Sequence, residues 1–147
     1  EMVTLDFGCV YDGFCSDMTR TISVGEPSAE MKKIYGIVKV AQQSALDAAK
    51  SGITTKQLDS VARDYIYAEG FEGKFGHGLG HGLGIEVHEM PSVSQRMDMA
   101  LPVNSVVTVE PGIYVEGLGG VRIEDDILIT SGGCEVLNKS PKELIII

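Results

Sequence analysis

All three histidines of this chain, His77, His81 and His88, fall within twelve residues. They sit in the run Gly76-His77-Gly78-Leu79-Gly80-His81-Gly82-Leu83-Gly84-Ile85-Glu86-Val87-His88. Imidazole is a common neutral ligand for transition metals and carries protons near neutral pH. Glycines between the rings let the backbone bend sharply and approach a ligand closely. A phosphate-cradling loop would need a helix to start directly after it, whereas Ile85-Glu86-Val87 reads as a strand. A flexible linker would lack the regular apolar spacing of Leu79, Leu83 and Ile85. The run therefore points to metal or proton chemistry, with a three-histidine zinc site as one version of it.

Four carboxylates supply the second half of that chemistry. Asp6 lies between Leu5 and Phe7, and Asp17 lies in the segment that returns after Tyr11-Asp12-Gly13. Glu110 ends the apolar run Val106-Val107-Thr108-Val109, and Glu124 lies within Val121-Arg122-Ile123-Glu124-Asp125-Asp126. Charges set among apolar neighbours are costly unless they are paired. Four acids and one histidine on such strands pose a charge problem that two divalent cations would solve. Oxygen ligands with one imidazole suit manganese(II), cobalt(II) or zinc rather than a thiolate-selected metal.

These residues need elements to gather them. Met2 to Cys9 and Phe14 to Val24 read as a β-hairpin closed by a two-residue loop. A loop at Tyr11-Asp12 puts Asp6 opposite Asp17, while a loop at Asp12-Gly13 puts Asp6 opposite Thr19 with Asp17 on the adjacent diagonal. Either way both carboxylates project from one face, roughly 4.5–8 Å apart at Cβ. A three-residue loop would separate them onto opposite faces.

Glu26-Pro27-Ser28 opens a helix with Pro27 near its first position. Its stripe is Met31, Ile34, Tyr35, Val38, Ala41, Ala45 and Ala48, and Gly52 closes it. Thr54 with Gln57 forms a capping box for a second helix burying Leu58, Val61, Ala62, Tyr65 and Ile66, stopped by Gly70. Glycine density from Gly70 to Gly84 excludes a helix there. Strands are expected at Gly84–His88, Ser105–Val109 and Gly120–Thr130. In the last of these, alternation puts Arg122, Glu124 and Asp126 on one face and Val121, Ile123 and Asp125 on the other. The order ββ, αα, then strands gives an α+β class with helices on one sheet face.

Composition narrows the partners. With 21 acidic against 12 basic residues, the net charge of −9 disfavours nucleic acid. No apolar run approaches the roughly 20 residues of a membrane helix. Cys9, Cys15 and Cys134 are odd in number and form no C-x-x-C pair, which reads as free thiols in a reducing cytoplasm. At 147 residues the chain is one domain or a piece of a larger one. It begins at Glu1 and enters a strand-like run at once, which reads as the downstream part of a longer protein.

The stretches LDFGCVYDGFCSDMTRT, HGLGHGLGIEVHEMP, VTVEPGIY and GGVRIEDD together resemble the Xaa-Pro branch of the pita-bread metallopeptidases, aminopeptidase P and prolidase. The resemblance spans nearly the whole chain in the family's order. It implies the pita-bread fold, a curved antiparallel sheet with helices outside it, here without its N-terminal half. It implies two divalent metal ions, manganese foremost, and a peptide substrate with proline in second position.

By that resemblance Asp6 binds one metal, Asp17 and Glu124 bridge both, and His81 and Glu110 complete the second. His88 is the catalytic histidine at the scissile region, His77 a substrate-side histidine, and Glu110 the proton relay. Arg122 stands beside the bridging glutamate and contacts it or the substrate. Methionine aminopeptidases share the ligands but usually lack a histidine at the His77 position, and peptidase-like binding modules usually lose a ligand, whereas none is lost here. Ser92 stands where some dipeptidases have an arginine for the substrate carboxylate, with Arg96 nearby, which favours an aminopeptidase. The missing half would leave strand edges and apolar surface through which copies associate.

Overall fold

The computed structural model describes residues 1–147. The hairpin forms first in the chain, from β1 (Met2–Phe7), β2 (Val10–Tyr11), β3 (Phe14–Cys15) and β4 (Met18–Ser23). Asp12 and Gly13 both have positive φ, at 50° and 83°, as a two-residue turn matched to strand twist requires. That turn sets the register Asp6↔Thr19, the second of the two hairpin readings. Asp17 lies on the diagonal, in the break between β3 and β4.

Helix α1 (Ala29–Ala48) is capped by Ser28, whose hydroxyl accepts from the Met31 N–H. Pro27 therefore precedes the cap rather than occupying the first helical position, and the helix closes at Ala49, ahead of Gly52. Its buried stripe contains Met31, Ile34, Tyr35, Val38, Ala41 and Ala45. Helix α2 (Thr55–Ala68) has the expected capping box between Thr54 and Gln57. It buries Leu58, Ala62 and Ile66, while Val61 and Tyr65 are half-buried.

The remaining strands are β5 (Gly80–Gly82), β6 (Glu89–Val93), β7 (Val106–Val109), β8 (Gly112–Val115), β9 (Gly119–Arg122), β10 (Asp125–Ile129) and β11 (Cys134–Val136). Five of them form an antiparallel sheet in the order β11-β10-β7-β5-β6. The expected strand at Gly84–His88 is instead a series of bends between β5 and β6. Ile85 and Val87 there are 75% and 40% exposed, so they lack the burial that would make their alternation strand-like. The glycines are where pairing occurs. A Cβ on Gly80 would lie 1.9 Å from the Thr108 carbonyl oxygen, so only glycine lets β5 approach β7 this closely.

The expected Gly120–Thr130 strand is broken at Ile123-Glu124. There the Glu124 N–H donates to the Thr19 carbonyl at 3.1 Å, tying β10's start to the hairpin. The two helices and the sheet share one core of 23 buried residues, including Ile34, Leu58, Ile66, Val107, Val109 and Ile127. No helix is long and apolar enough to cross a membrane, and all three cysteines are free.

Candidate metal centre

Hairpin, β5, β7 and the β9–β10 break converge on one acidic cluster. Asp17, His81 and Glu124 each offer a ligand atom, and these atoms all lie within 4.8 Å of one another. His81 Nε2 is 3.2 Å from Glu110 Oε1 and 3.9 Å from Asp17 Oδ2. His81 Nδ1 lies 3.0 Å from the Gly82 carbonyl. Donation there holds the proton on Nδ1 and leaves Nε2 facing the carboxylates, the tautomer a metal ligand needs. Thr108 braces both partners: its hydroxyl accepts from the His81 N–H at 3.0 Å and donates to Glu110 Oε1 at 3.0 Å.

Asp6 sits at the outer side of this cluster, turned to Arg122, whose Nη2 donates to Asp6 Oδ2. Arg122 also donates from Nε to Thr19 Oγ1 at 3.1 Å and from Nη1 to Tyr114 Oη at 3.2 Å. Thr19 in turn donates to Glu124 Oε2 at 2.5 Å. Tyr114 Oη lies 3.0 Å from His77 Nε2. Arg122 thus links Asp6, the hydroxyl that holds Glu124, and the His77 ring. The His88 ring is exposed, with its centroid 4.2 Å from that of His81.

Without a cation these acids strain one another. Burial first, then the Glu110 charge, push the Glu124 carboxyl up to about 8. Burial, with Asp6 next, raises Asp17. For His81, burial opposes protonation, but hydrogen bonds to Glu110 and the Gly82 carbonyl and the charges of Glu110 and Glu124 outweigh it, carrying the ring up to about 9. Oxygen-rich donors with one imidazole, mutually repelling and in reach of a common point, fit a divalent cation.

Several residues that position this site were not singled out from sequence. Thr108, Thr19 and Tyr114 lie in runs that read as ordinary strand. The sign available for Thr108 was one hydroxyl in an otherwise aliphatic run. Asp126 was placed on the face of Glu124, and its Oδ2 accepts from the Asp17 N–H at 2.9 Å. Burial pushes its carboxyl up to about 6, and its Oδ1 is buried without a partner in the chain. Asp125 points the opposite way, as the alternation required. It is fully buried and accepts from Arg20 Nη2 at 2.7 Å, Gln42 Nε2 at 2.8 Å and Lys142 Nζ at 2.7 Å. Arg20 also donates to the carbonyls of Glu124 at 2.5 Å and Thr19 at 2.9 Å. The site's two central strands are therefore clamped from behind.

A polar cleft of about 540 Å³ adjoins the cluster and is lined by His77, Gly78, Ser92 and Arg96 among others. His77, Gly78 and Ser92 also line the smaller cavity over His81, Glu110 and Arg122.

Comparison with known proteins gives this geometry a family. The Xaa-Pro dipeptidase of Pyrococcus horikoshii is 51% identical over 99% of this chain, which spans 41% of that protein. Among solved structures, an Xaa-Pro dipeptidase from Bacillus anthracis superposes with a TM-score of 0.98 at 55% identity, over 99% of this chain and 41% of its own. An X-Pro aminopeptidase from Thermotoga maritima gives 0.97 at 50% identity, over 99% and 42%. The fold is thus the α+β pita-bread arrangement, present over the two fifths of these relatives that the chain spans. The profile of metallopeptidase family M24 matches residues 1–131, and the chain belongs to that family.

Proposed function

We propose that the chain is the C-terminal part of a dinuclear metallopeptidase catalytic domain that hydrolyses the Xaa-Pro bond, at the N-terminus of peptides or in dipeptides. The observation that carries the reading is the meeting of Asp17, His81 and Glu124 donor atoms within 4.8 Å, with Glu110 touching the same imidazole. Relatives named for Xaa-Pro hydrolysis, about half identical across the chain, support the substrate class.

In this reading Asp6, Asp17, His81, Glu110 and Glu124 would hold two divalent cations, manganese by preference, with Asp17 and Glu124 serving both. Such ions, when bound, polarise a carbonyl and lower the pKa of water. The rest of the chemistry belongs to the chain. Glu110, held by Thr108, accepts and relays a proton. His88 reaches over the His81 ring toward the scissile region and stabilises charge developing on the carbonyl oxygen. His77, oriented by Tyr114, lines the substrate side. Arg122 fixes Asp6 and, through Thr19, the orientation of Glu124. The absence of an N–H on proline lets the pocket select it without satisfying a donor. Ser92 on the adjoining cleft, in place of an arginine that would hold a dipeptide's carboxylate, favours longer peptides over dipeptides.

The same reading makes a peptide, not nucleic acid or membrane, the partner. It has the protein work in the cytoplasm and lets copies associate through the exposed apolar residues of the hairpin.

Two measurements test the proposal in the full-length protein. Calorimetric titration with manganese should give two equivalents for the native sequence and a lower stoichiometry for Asp17→Ala; unchanged stoichiometry removes the bridging role. Hydrolysis of Xaa-Pro peptides should exceed that of matched Met-Ala peptides, and the reverse order would reject the proline assignment.

A further inference from the structure

Helix α2 presents one buried ion pair to the glycine-rich segment that carries His77. Asp59 is fully buried. Its Oδ1 accepts from the Leu79 N–H at 3.0 Å and from Arg63 Nη2 at 2.9 Å. Its Oδ2 accepts from Arg63 Nε at 2.7 Å and from Gln95 Nε2 at 2.7 Å. Arg63, one helical turn on, aims its other N–H groups at two carbonyls. Nη1 donates to Phe75 at 2.7 Å and Nη2 to His77 at 2.6 Å, while the guanidinium lies 4.2 Å from the Phe75 ring centre.

Residues 75–79 belong to no strand. The Phe75 carbonyl, the His77 carbonyl and the Leu79 N–H are three alternate backbone positions, and one ion pair holds all of them, as a neighbouring strand would. The planar, forked guanidinium makes four hydrogen bonds at once, to a carboxylate and two carbonyls, whereas an ammonium has only three N–H donors. Fixing the backbone from this side sets where the His77 side chain stands on the other, against Tyr114 Oη at 3.0 Å. His81 has separate support, from Thr108 and the Gly82 carbonyl.

We propose that Asp59 and Arg63 are positioning residues for His77: they fix the substrate-side imidazole from helix α2, while Thr108 holds the His81 N–H and the Glu110 carboxylate. The inference rests on the peptidase reading, in which His77 meets substrate.

The test uses the full-length protein and Arg63→Met. KM for an Xaa-Pro peptide is expected to rise about tenfold, with kcat within about twofold of wild type and the manganese titration unchanged. In a His77→Ala background, adding Arg63→Met should change KM by less than about twofold, because the pathway through His77 is already gone. Arg63→Lys should behave like Arg63→Met, not like wild type. An unchanged KM overturns the proposal. So does a tenfold effect that persists in the His77→Ala background, which would mean Arg63 meets substrate itself, and so does loss of manganese binding, which would mean the whole segment has collapsed. If Arg63→Met does not fold, Asp59→Asn carries the same expectations.

A second readout needs no substrate and separates this proposal from the peptidase reading. Amide exchange at Leu79 should quicken about tenfold or more in Arg63→Met, with shifted His77 ring resonances. If wild type does not cleave Xaa-Pro peptides, the peptidase reading fails. If exchange and resonances are unchanged in the variant, this inference fails.

Discussion

Replacing Glu124 with glutamine should stabilise the chain above about pH 5 when cations are kept away by a chelator. Glu124 is 2% exposed, and burial first and the Glu110 charge second hold its carboxyl at about 8 against an ordinary 4.5. Between those values the folded chain keeps a proton that the unfolded chain has released. The folded pKa being the higher one, stability falls as pH rises through that window. At about 1.4 kcal/mol per pH unit, moving from pH 5 to pH 8 removes about 3 kcal/mol through this one group. Glutamine matches the shape of the protonated acid and stays neutral throughout, so the variant lacks that slope. It should match wild type near pH 5 and exceed it by about 3 kcal/mol at pH 8.

His81 titrates with the same sign. Its ring is held up to about 9 from 6.5, so its contribution is complete below 6.5 and is lost as pH rises toward 9. The Glu124 charge is the smallest of the causes of that rise, so most of the His81 contribution is common to both proteins and cancels in the comparison. Urea unfolding followed by circular dichroism at several pH values, in chelator, makes the measurement. Saturating manganese should reverse the order, because a cation displaces these protons and needs the carboxylate. If wild type and Glu124→Gln lose stability in parallel between pH 5 and pH 8, the Glu124 charge is not the strained group.

Two further outcomes follow from the supports of the site. Asp125→Leu leaves Arg20 and Lys142 facing an apolar side chain and should cost about 3–5 kcal/mol in the same unfolding assay; a loss below about 1 kcal/mol would place the pair among weakly contributing surface bridges. Gly80→Ala sets a Cβ 1.9 Å from the Thr108 carbonyl oxygen, so β5 must draw away from β7 and carry His81 with it. Calorimetry should then show manganese binding lost or weakened by at least about tenfold, and an unchanged titration would contradict that account.

Much of the scaffold was legible because its signals are local. Tyr11-Asp12-Gly13 marks the hairpin turn, though it leaves two registers open, Thr54 and Gln57 cap α2 through their own side chains, and the α1 stripe repeats with helical spacing. The glycine-rich run misled in an instructive way. Ile85-Glu86-Val87 has strand-forming residues but no neighbour to bury them, whereas Gly80–Gly82 has no strand propensity and pairs because only glycine fits against Thr108. The eight candidate residues could be named by type alone, and the structure brings Asp17, His81, Glu110 and Glu124 together with Asp6 held at the edge by Arg122. The residues that orient them were hidden, because the contacts that matter reach elsewhere in the chain: Thr19 to Glu124, Thr108 to His81, Tyr114 to His77, and the Asp59–Arg63 pair to residues 75–79. Nothing in a strand or helix pattern marks a hydroxyl or ion pair as the one facing inward.

The clamp behind the strands limits how this sequence can drift. Arg20 and Asp125 answer each other across more than a hundred positions of chain, with Lys142 and Gln42 completing the set. Any one of the charged members, altered alone, strands the others inside the protein. Relatives or redesigned versions that dispense with this arrangement should therefore have exchanged Arg20, Asp125 and Lys142 as a group. An apolar trio at those positions would leave the candidate ligand residues untouched while removing the donors that now hold the Thr19 and Glu124 carbonyls.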